Sequence, residues 1–352
     1  MVGHKALSHR HTVWGSPLWA AGHVVPSPVL STLYSAVVRR RREYFAVRPH
    51  LRRRLRRPVV SVGNLAMGGR GKTPVVAAIA RLLMEMGERP AILSRGYGRR
   101  TAEDGVVVVR DSTNIHADLH RSGDEPLMLA RQLDGAVVMA ATDRYLAGRL
   151  AEHHFGATVH VLDDGFQHLQ LDRDVDIVIL AREDVACPLT LPSGRLREPM
   201  DALVAADAIL TADDDVVVES VPQLDIPLFR LRRRLEKART GELVFALAGI
   251  AAPERFLNDL RATGWQVAGS MTFRDHHPYS RRDLARIVHA ARAAGASSIV
   301  TTEKDVVRLL SFRPFPMPIT WVPLTMEPEP RDEFQRWLAG SIAAARDLVP
   351  AR

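Results

Sequence analysis

The stretch Val59-Val-Ser-Val-Gly-Asn-Leu-Ala-Met-Gly-Gly-Arg-Gly-Lys-Thr-Pro74 decides the fold. Val59–Val62 reads as a short apolar strand, and Lys72–Met86 carries the period of a helix. Between them lies a glycine-rich loop ending in Gly71-Lys72-Thr73. Strand, loop and helix in that order form a phosphate cradle. Glycines let backbone N–H groups close around phosphate oxygens, and the helix N-terminus adds positive potential. In such a loop Lys72 reaches the β- and γ-phosphates and the Thr73 hydroxyl binds Mg²⁺, while Gly68, Gly69, Arg70 and Gly71 wrap the nucleotide. Pro74 falls in the first helical turn, where a missing N–H costs nothing. Ala66 stands where the usual GxxxxGK[ST] pattern has its first glycine.

Outward from this loop, strands and helices alternate. Ala91–Leu93, Val106–Val109, Val137–Ala140, Val159–Leu162, Ile177–Leu180 and Ala208–Leu210 are strand candidates, several separated by helical stretches. That alternation predicts an α/β, P-loop NTPase-like domain over 58–240, with a mostly parallel sheet covered on both faces. A second, smaller α/β lobe is expected over 241–352. Its strands are Leu243–Ala248, Gln266–Phe273, Ser298–Thr302 and Thr320–Pro323, and its helices Pro253–Thr263 and Ser280–Ala294, with Ser280 and Asp283 as a capping pair. The arginine-rich Arg230–Arg239 reads as a linker.

The chain has 352 residues, of which 46% are hydrophobic and 25% charged, as in soluble globular proteins. Its single cysteine, Cys187, permits no internal disulfide and points to a reducing compartment. The net charge of +8 is unevenly placed: residues 39–57 hold ten arginines against one acid, Glu43, so the rest of the chain carries −1. A nucleic-acid enzyme spreads basic residues around its site. Confinement to one segment points instead to a local anionic surface. Residues 1–11 read as a disordered leader. After Ser27 and Pro28, an N-cap and first helical residue, Leu30, Leu33, Tyr34, Val37 and Val38 share a helical face that runs into Arg39–Arg42. An apolar stripe beside arginines predicts an interfacial membrane helix within a basic segment, 1–57. The alternative is a helix packed on the protein's own core with its arginines solvated.

Val159-His-Val-Leu-Asp-Asp164 is a strand ending in paired carboxylates, the arrangement that sets an acid beside the metal in P-loop proteins. The following Gly165-Phe-Gln-His168, taken with the phosphate loop, resembles the tetraacyldisaccharide 4'-kinase family. Further strings agree in order: Ser94-Arg-Gly-Tyr-Gly98, Gly123-Asp-Glu-Pro126, Asp143-Arg-Tyr145, Gly194-Arg-Leu-Arg-Glu-Pro199, Phe273-Arg-Asp-His-His277 and Thr301-Thr-Glu-Lys-Asp305. The resemblance spans about residues 27–340, and the family tolerates a non-glycine at the Ala66 position.

The resemblance implies ATP as donor and a tetraacylated glucosamine disaccharide 1-phosphate as acceptor, phosphorylated on its 4'-hydroxyl to give lipid IVA. It implies a peripheral or monotopic enzyme at the cytoplasmic face of the inner membrane, held to an anionic surface and binding no nucleic acid. It makes Asp124 the candidate base, partnered by His276, because an alcohol nucleophile gains from a positioned proton acceptor. Asp163, Asp164 and Glu198 are candidates for Mg²⁺, although Glu198 could instead pair with Arg195 or Arg197. Asn64, Arg95, Tyr97, Arg144, Gln167 and His168 are candidate substrate contacts, since a guanidinium suits a phosphate through paired hydrogen bonds. Glu303-Lys304-Asp305 reads as a structural turn. Two rivals share the loop. A P-loop switch GTPase would carry an Asn-Lys-x-Asp string, which is absent from the sequence. A non-enzymatic membrane adaptor would not need an intact Lys72, Thr73 and acidic pair.

Overall fold

The computed structural model describes residues 28–69, 71–99, 105–211, 225–238 and 241–347. The expected leader, the Ser27 cap and Arg70 lie outside them. The larger sheet has nine strands in the order β13 (Leu324–Glu329), β8 (Leu228–Leu235), β7 (Ala208–Thr211), β6 (Val175–Leu180), β1 (Val59–Asn64), β5 (Val159–Asp163), β2 (Pro90–Ser94), β4 (Val137–Ala141) and β3 (Val106–Arg110). All neighbours are parallel except the outermost pairs, β13 with β8 and β3 with β4. The smaller sheet is parallel throughout, in the order β10 (Gln266–Thr272), β9 (Leu243–Ala248), β11 (Ser298–Thr302) and β12 (Ile319–Val322).

β1 is buried along its whole length because both faces of its sheet are covered. Val60 and Val62 join the core under α2 (Lys72–Glu85), and Val59 joins the opposite core, with Leu93 and Leu162. α3 (Leu119–Ser122) runs through Gly123 into α4 (Asp124–Gln132) on the α2 side, while α5 (Arg144–Phe155) covers the other face. α6 (Arg182–Ala186) follows β6. In the smaller lobe α7 (Pro253–Ala262), α8 (Arg281–Ala293) and α9 (Glu303–Leu309) cover the sheet. Ser280 and Asp283 form the expected reciprocal cap at the start of α8.

Three expectations are corrected. Residues 230–235 of the expected Arg230–Arg239 linker are strand: β8 pairs antiparallel with β13, because Phe229 and Leu231 point inward and alternate with outward arginines. Nor does the smaller lobe keep its C-terminus. β13 and α10 (Arg331–Asp347) return to the larger lobe, where Phe334, Leu338 and Ile342 enter the α2 core. The third concerns α1 (Pro28–Ala46). Val29, Leu30, Leu33 and Val37 are exposed, but Tyr34 and Val38 are half-buried against the body. Several arginines of the basic segment serve the protein's own acids. Arg39 pairs with Asp201 at 2.6 Å, Arg53 grips Asp143 with two 2.8 Å bonds, and Arg54 bridges Asp172 and Asp174.

Strand polarity brings the loops after β1, β2, β4 and β5 to one carboxyl edge, and β1 lies where the strand order reverses, the place where open α/β sheets bind ligands.

Phe334 is fully buried and meets the Phe229 ring edge-on at 5.1 Å between centroids. Phe334→Ala should therefore cost about 3–5 kcal/mol in denaturant unfolding. Near wild-type stability would place α10 outside the core of the larger lobe.

Candidate active site

The strand-to-helix turn after β1 presents Lys72 and Thr73. Gly71 caps α2 with φ +75°, a left-handed conformation that favours glycine, and any Cβ there would collide with Met326 Sδ. Lys72 Nζ lies 3.1 Å from Asn64 Oδ1 and 3.5 Å from Asp164 Oδ1. Asn64, expected as a substrate contact, is fully buried and orients Lys72 from beneath. Gly68 and Gly69 are exposed, and a Cβ on Gly69 would lie 3.4 Å from Ala251 of the smaller lobe. The two lobes thus share a cleft of about 870 Å³, lined by Lys72, Thr73, Asp163 and Arg144 from one and by Ile250, Arg255 and His276 from the other.

The two aspartates after β5 differ in partners and charge. Arg197 forks onto Asp164 with bonds of 2.7 and 2.8 Å and also donates to Asn64 Oδ1 at 2.6 Å. Burial alone would raise Asp164, but Arg197 and Lys72 hold it down at about 2. Asp164 takes φ +55°, unusual for a non-glycine, so the surrounding contacts maintain a strained turn. Asp163 is buried beside it with a 3.3 Å bond from Ser94 Oγ. Burial and the nearby Glu125 and Asp164 charges push its carboxyl up to about 7, against Lys72. Of the two, Asp163 is the carboxyl that lacks a full countercharge, and with the Thr73 hydroxyl it fits a divalent cation whose other ligands are phosphate oxygens and water. Glu198 does not join them. It is buried, pairs with Arg42 of α1 and lies outside the cleft lining. Among the described residues no three Asp, Glu, His or Cys side chains converge as a metal cage.

A second cluster crosses between the lobes. Gly123, with φ +84°, allows the chain to pass against the Tyr97 carbonyl and start α4 at Asp124. Asp124 is only 4% exposed, and its Oδ2 lies 3.0 Å from His276 Nδ1 and 2.9 Å from Arg308 Nε. Arg308 Nη2 adds a 2.5 Å bond to the same oxygen, and Nη1 donates to the Gly249 carbonyl and to Asp305. Burial would raise Asp124, but the His276 hydrogen bond and the Lys304 and Arg308 charges overcome it and hold the carboxyl well below the usual carboxylate range. Lys304 Nζ lies 3.1 Å from His276 Nε2. Burial opposes the Lys304 charge, yet Glu125, Asp124 and Asp275 raise its pKa overall, so it remains an ammonium that can only donate. His276 Nε2 therefore accepts, which assigns the proton to Nδ1, facing Asp124. The ring is held from both sides, by Asp124 at Nδ1 and by Lys304 at Nε2. His276 itself adopts φ +57°, and its ring meets Tyr97 at 5.0 Å between centroids.

Lys304 and Arg308 are the site residues that sequence reasoning missed. The string Thr301–Asp305 is among the family strings, but its Glu303-Lys304-Asp305 reads as a structural turn. The missing signal was helical spacing: Thr302 caps α9 by accepting from the Asp305 N–H at 3.1 Å, which sets Lys304 and Arg308 on one face four residues apart.

Tyr97, Arg95 and Arg144 line the cleft. Arg144 is 6% exposed at the start of α5, the helix that Asp143 caps, and its Nη1 donates to the Thr142 carbonyl at 3.1 Å. Burial and the neighbouring Arg95 charge lower Arg144 to about 10, so it stays charged. Gln167 donates to the Asn64 carbonyl at 3.0 Å. Burial and Arg144 push His168 down to about 4, leaving a neutral ring at neutral pH.

A family model described as tetraacyldisaccharide-1-P 4'-kinase matches residues 27–343. The chain belongs to that family. Among the 4'-kinase relatives, a protein of Koribacter versatilis (strain Ellin345) named tetraacyldisaccharide 4'-kinase is 43% identical over 289 residues, covering 80% of this chain and 87% of its own. One of Geobacter metallireducens, with the same name, is 39% identical over 298 residues, covering 80% and 87%. The crystal structure of an "apo" form of LpxK from Aquifex aeolicus in complex with ATP matches with a TM-score of 0.74 at 29% identity, covering 89% of this chain and 98% of that one. The expected α/β, P-loop NTPase-like fold with its second α/β sheet is that of this 4'-kinase structure.

Removing one partner of a buried ion pair strands the other charge. Arg308→Met should cost about 3–5 kcal/mol of stability, and Asp124→Leu with Arg308→Met should recover part of it. Strictly additive losses in the double-mutant cycle would show that the two side chains are not coupled.

Proposed function

We propose that this protein transfers the γ-phosphoryl group of ATP to the 4'-hydroxyl of a tetraacylated glucosamine disaccharide 1-phosphate, giving lipid IVA in lipid A biosynthesis. One observation carries the reading. A phosphate loop from the larger lobe and a carboxylate-backed histidine from the smaller one face a single cleft. Family membership supports the acceptor, and ATP in the Aquifex aeolicus relative supports the donor.

The γ-phosphate needs countercharge more than covalent help. Lys72 supplies it from the phosphate loop, and the backbone N–H groups of the loop close around the oxygens. Thr73 and Asp163 would hold Mg²⁺, which when bound neutralises charge on the β- and γ-oxygens. Arg95, Tyr97 and Arg144 receive the acceptor, with the arginines suited to its 1-phosphate. Gln167 and His168 complete the wall beside them.

His276 is the group that takes the proton, and Asp124 orients it. The acceptor hydroxyl replaces Lys304 at Nε2. As the 4'-oxygen bonds to the γ-phosphorus, the bond from that phosphorus to the bridging oxygen of the β-phosphate breaks. The hydroxyl proton passes to Nε2, and Asp124 stabilises the resulting imidazolium. Arg308 keeps Asp124 ionised throughout. On this reading Asp124, expected from the family resemblance as the base, orients the histidine, while the histidine receives the proton; the 3.0 Å contact of His276 Nδ1 with Asp124 supports it.

No described helix is long and apolar enough to cross a membrane. The exposed Val29, Leu30, Leu33 and Val37 of α1 support peripheral attachment at an anionic surface, which we assign to the cytoplasmic face of the inner membrane. This protein has no need of nucleic acid for that chemistry.

Lys72→Ala should abolish transfer from labelled ATP while leaving the fold intact. Asp124→Ala and His276→Ala should each lower kcat by roughly 10²–10⁴-fold, with a double mutant little worse than the worse single. Near wild-type turnover in Lys72→Ala, or multiplying losses in the double, would contradict these roles. Leu33→Glu with Val37→Glu should release the protein from anionic vesicles, and high salt should weaken wild-type binding. Co-sedimentation unchanged by the substitutions would move the membrane contact elsewhere.

A further inference from the structure

The inward face of α1 touches the segments that build the phosphate-transfer site. Tyr34 Oη donates to the Arg197 carbonyl at 3.1 Å, and Arg41 Nη1 donates to the Gln167 carbonyl at 3.2 Å. Arg42 reaches both Phe166 and Glu198. Its Nη2 donates to the Phe166 carbonyl at 3.4 Å and pairs with Glu198, and its guanidinium lies 4.3 Å from the centre of the Phe166 ring. Phe166 is fully buried against the strand that leads to the phosphate loop, where a Cβ on Gly63 would stand 2.5 Å from Phe166 Cβ. Arg197, next to Glu198, forks onto Asp164 and Asn64, and both of those hold Lys72. A short physical chain therefore runs from α1 to the lysine at the γ-phosphate.

The energetics favour a functional link. Glu198 is 1% exposed, so without Arg42 its charge would lose its ion-pair partner and keep only the longer-range attraction of Arg173. One response open to it is movement of the 195–198 loop, which carries the fork on Asp164. Arg42 also stacks on the Phe166 ring, a contact that strengthens when water is excluded. These bonds come from the helix whose opposite face is apolar and exposed.

We propose that Arg42 is a positioning residue for phosphoryl transfer, so that α1 both contacts the membrane and assembles the loops behind Asp164 and Lys72. The proposal rests on the kinase reading above. It assigns α1 a role in catalysis even when no bilayer is present.

The test uses the full chain with the tetraacyl acceptor in detergent micelles, where attachment to a bilayer is not needed. Arg42→Met should lower kcat by about 10–100-fold, the range seen when an outer partner that orients an active-site group is lost. KM for the acceptor and vesicle co-sedimentation should stay near wild type. Affinity for MgATP, read by calorimetry, should fall by about 10-fold. Arg42→Lys keeps the charge but cannot span Glu198 and the Phe166 carbonyl together, so its kcat should fall between the two. Unchanged micellar kcat and MgATP affinity in a folded Arg42→Met protein would overturn the proposal, as would a defect confined to vesicle binding. If Arg42→Met does not fold, wild-type kcat and MgATP affinity in Arg42→Lys would overturn it. A wild-type protein that transfers phosphate to no lipid-sugar acceptor would defeat the kinase reading instead, and the MgATP titration would still judge Arg42.

Discussion

A carboxylate buried between two lobes governs this structure. Asp124 belongs to the larger lobe, yet its charge is satisfied from the smaller one, by Arg308 and His276. An ionised group so shielded from water is tolerated only with its partners in place, and losing one leaves the other charge exposed to the same penalty. The pair therefore fixes the lobes at the point where the cleft lies between them. The same bonds give the histidine its tautomer, so a constraint on lobe geometry is also a constraint on proton transfer.

The carboxyl edge of the larger sheet shows the same economy of placement. Two adjacent aspartates leave β5 with different environments: one locked by an arginine fork, the other buried with its charge only partly offset. Environment, more than residue type, divides their work. The strained backbone at Asp164 and His276 lines the cleft from opposite lobes. Each such residue costs on the order of 1–3 kcal/mol and persists because its side chain is held from several directions.

Much of the fold was legible in the sequence because its signals are local. A valine-rich strand, a glycine loop and a helix with lysine at its start have one sensible arrangement, and Ser280 with Asp283 announced a helix start that the structure contains. What failed depended on contacts distant in sequence. Arg230–Arg239 looked like a linker because its outward arginines obscured the inward Phe229 and Leu231. β13 and α10 follow the smaller lobe in the chain, and nothing local in residues 324–347 says that they rejoin the first sheet. Which arginines of the basic segment turn toward the protein was hidden as well, because a sequence does not show that Asp143, Asp172, Asp174, Asp201 and Glu198 stand opposite them. In the site, the Asp124 and His276 pairing was legible through family strings. Lys304 and Arg308 were hidden because their function depends on a helix face that closes over a carboxylate some 180 residues earlier in the chain.

The central claim is that the cleft joins a nucleotide's γ-phosphate to one sugar hydroxyl. The most direct measurement locates the phosphate after incubating the full chain with Mg²⁺, γ-labelled ATP and tetraacylated glucosamine disaccharide 1-phosphate in micelles. The account predicts label on the disaccharide as a 4'-phosphate monoester, resolved from the unlabelled 1-phosphate by phosphorus NMR of the product. Label released only as inorganic phosphate, or found on the 1-phosphate as a diphosphate, would contradict it.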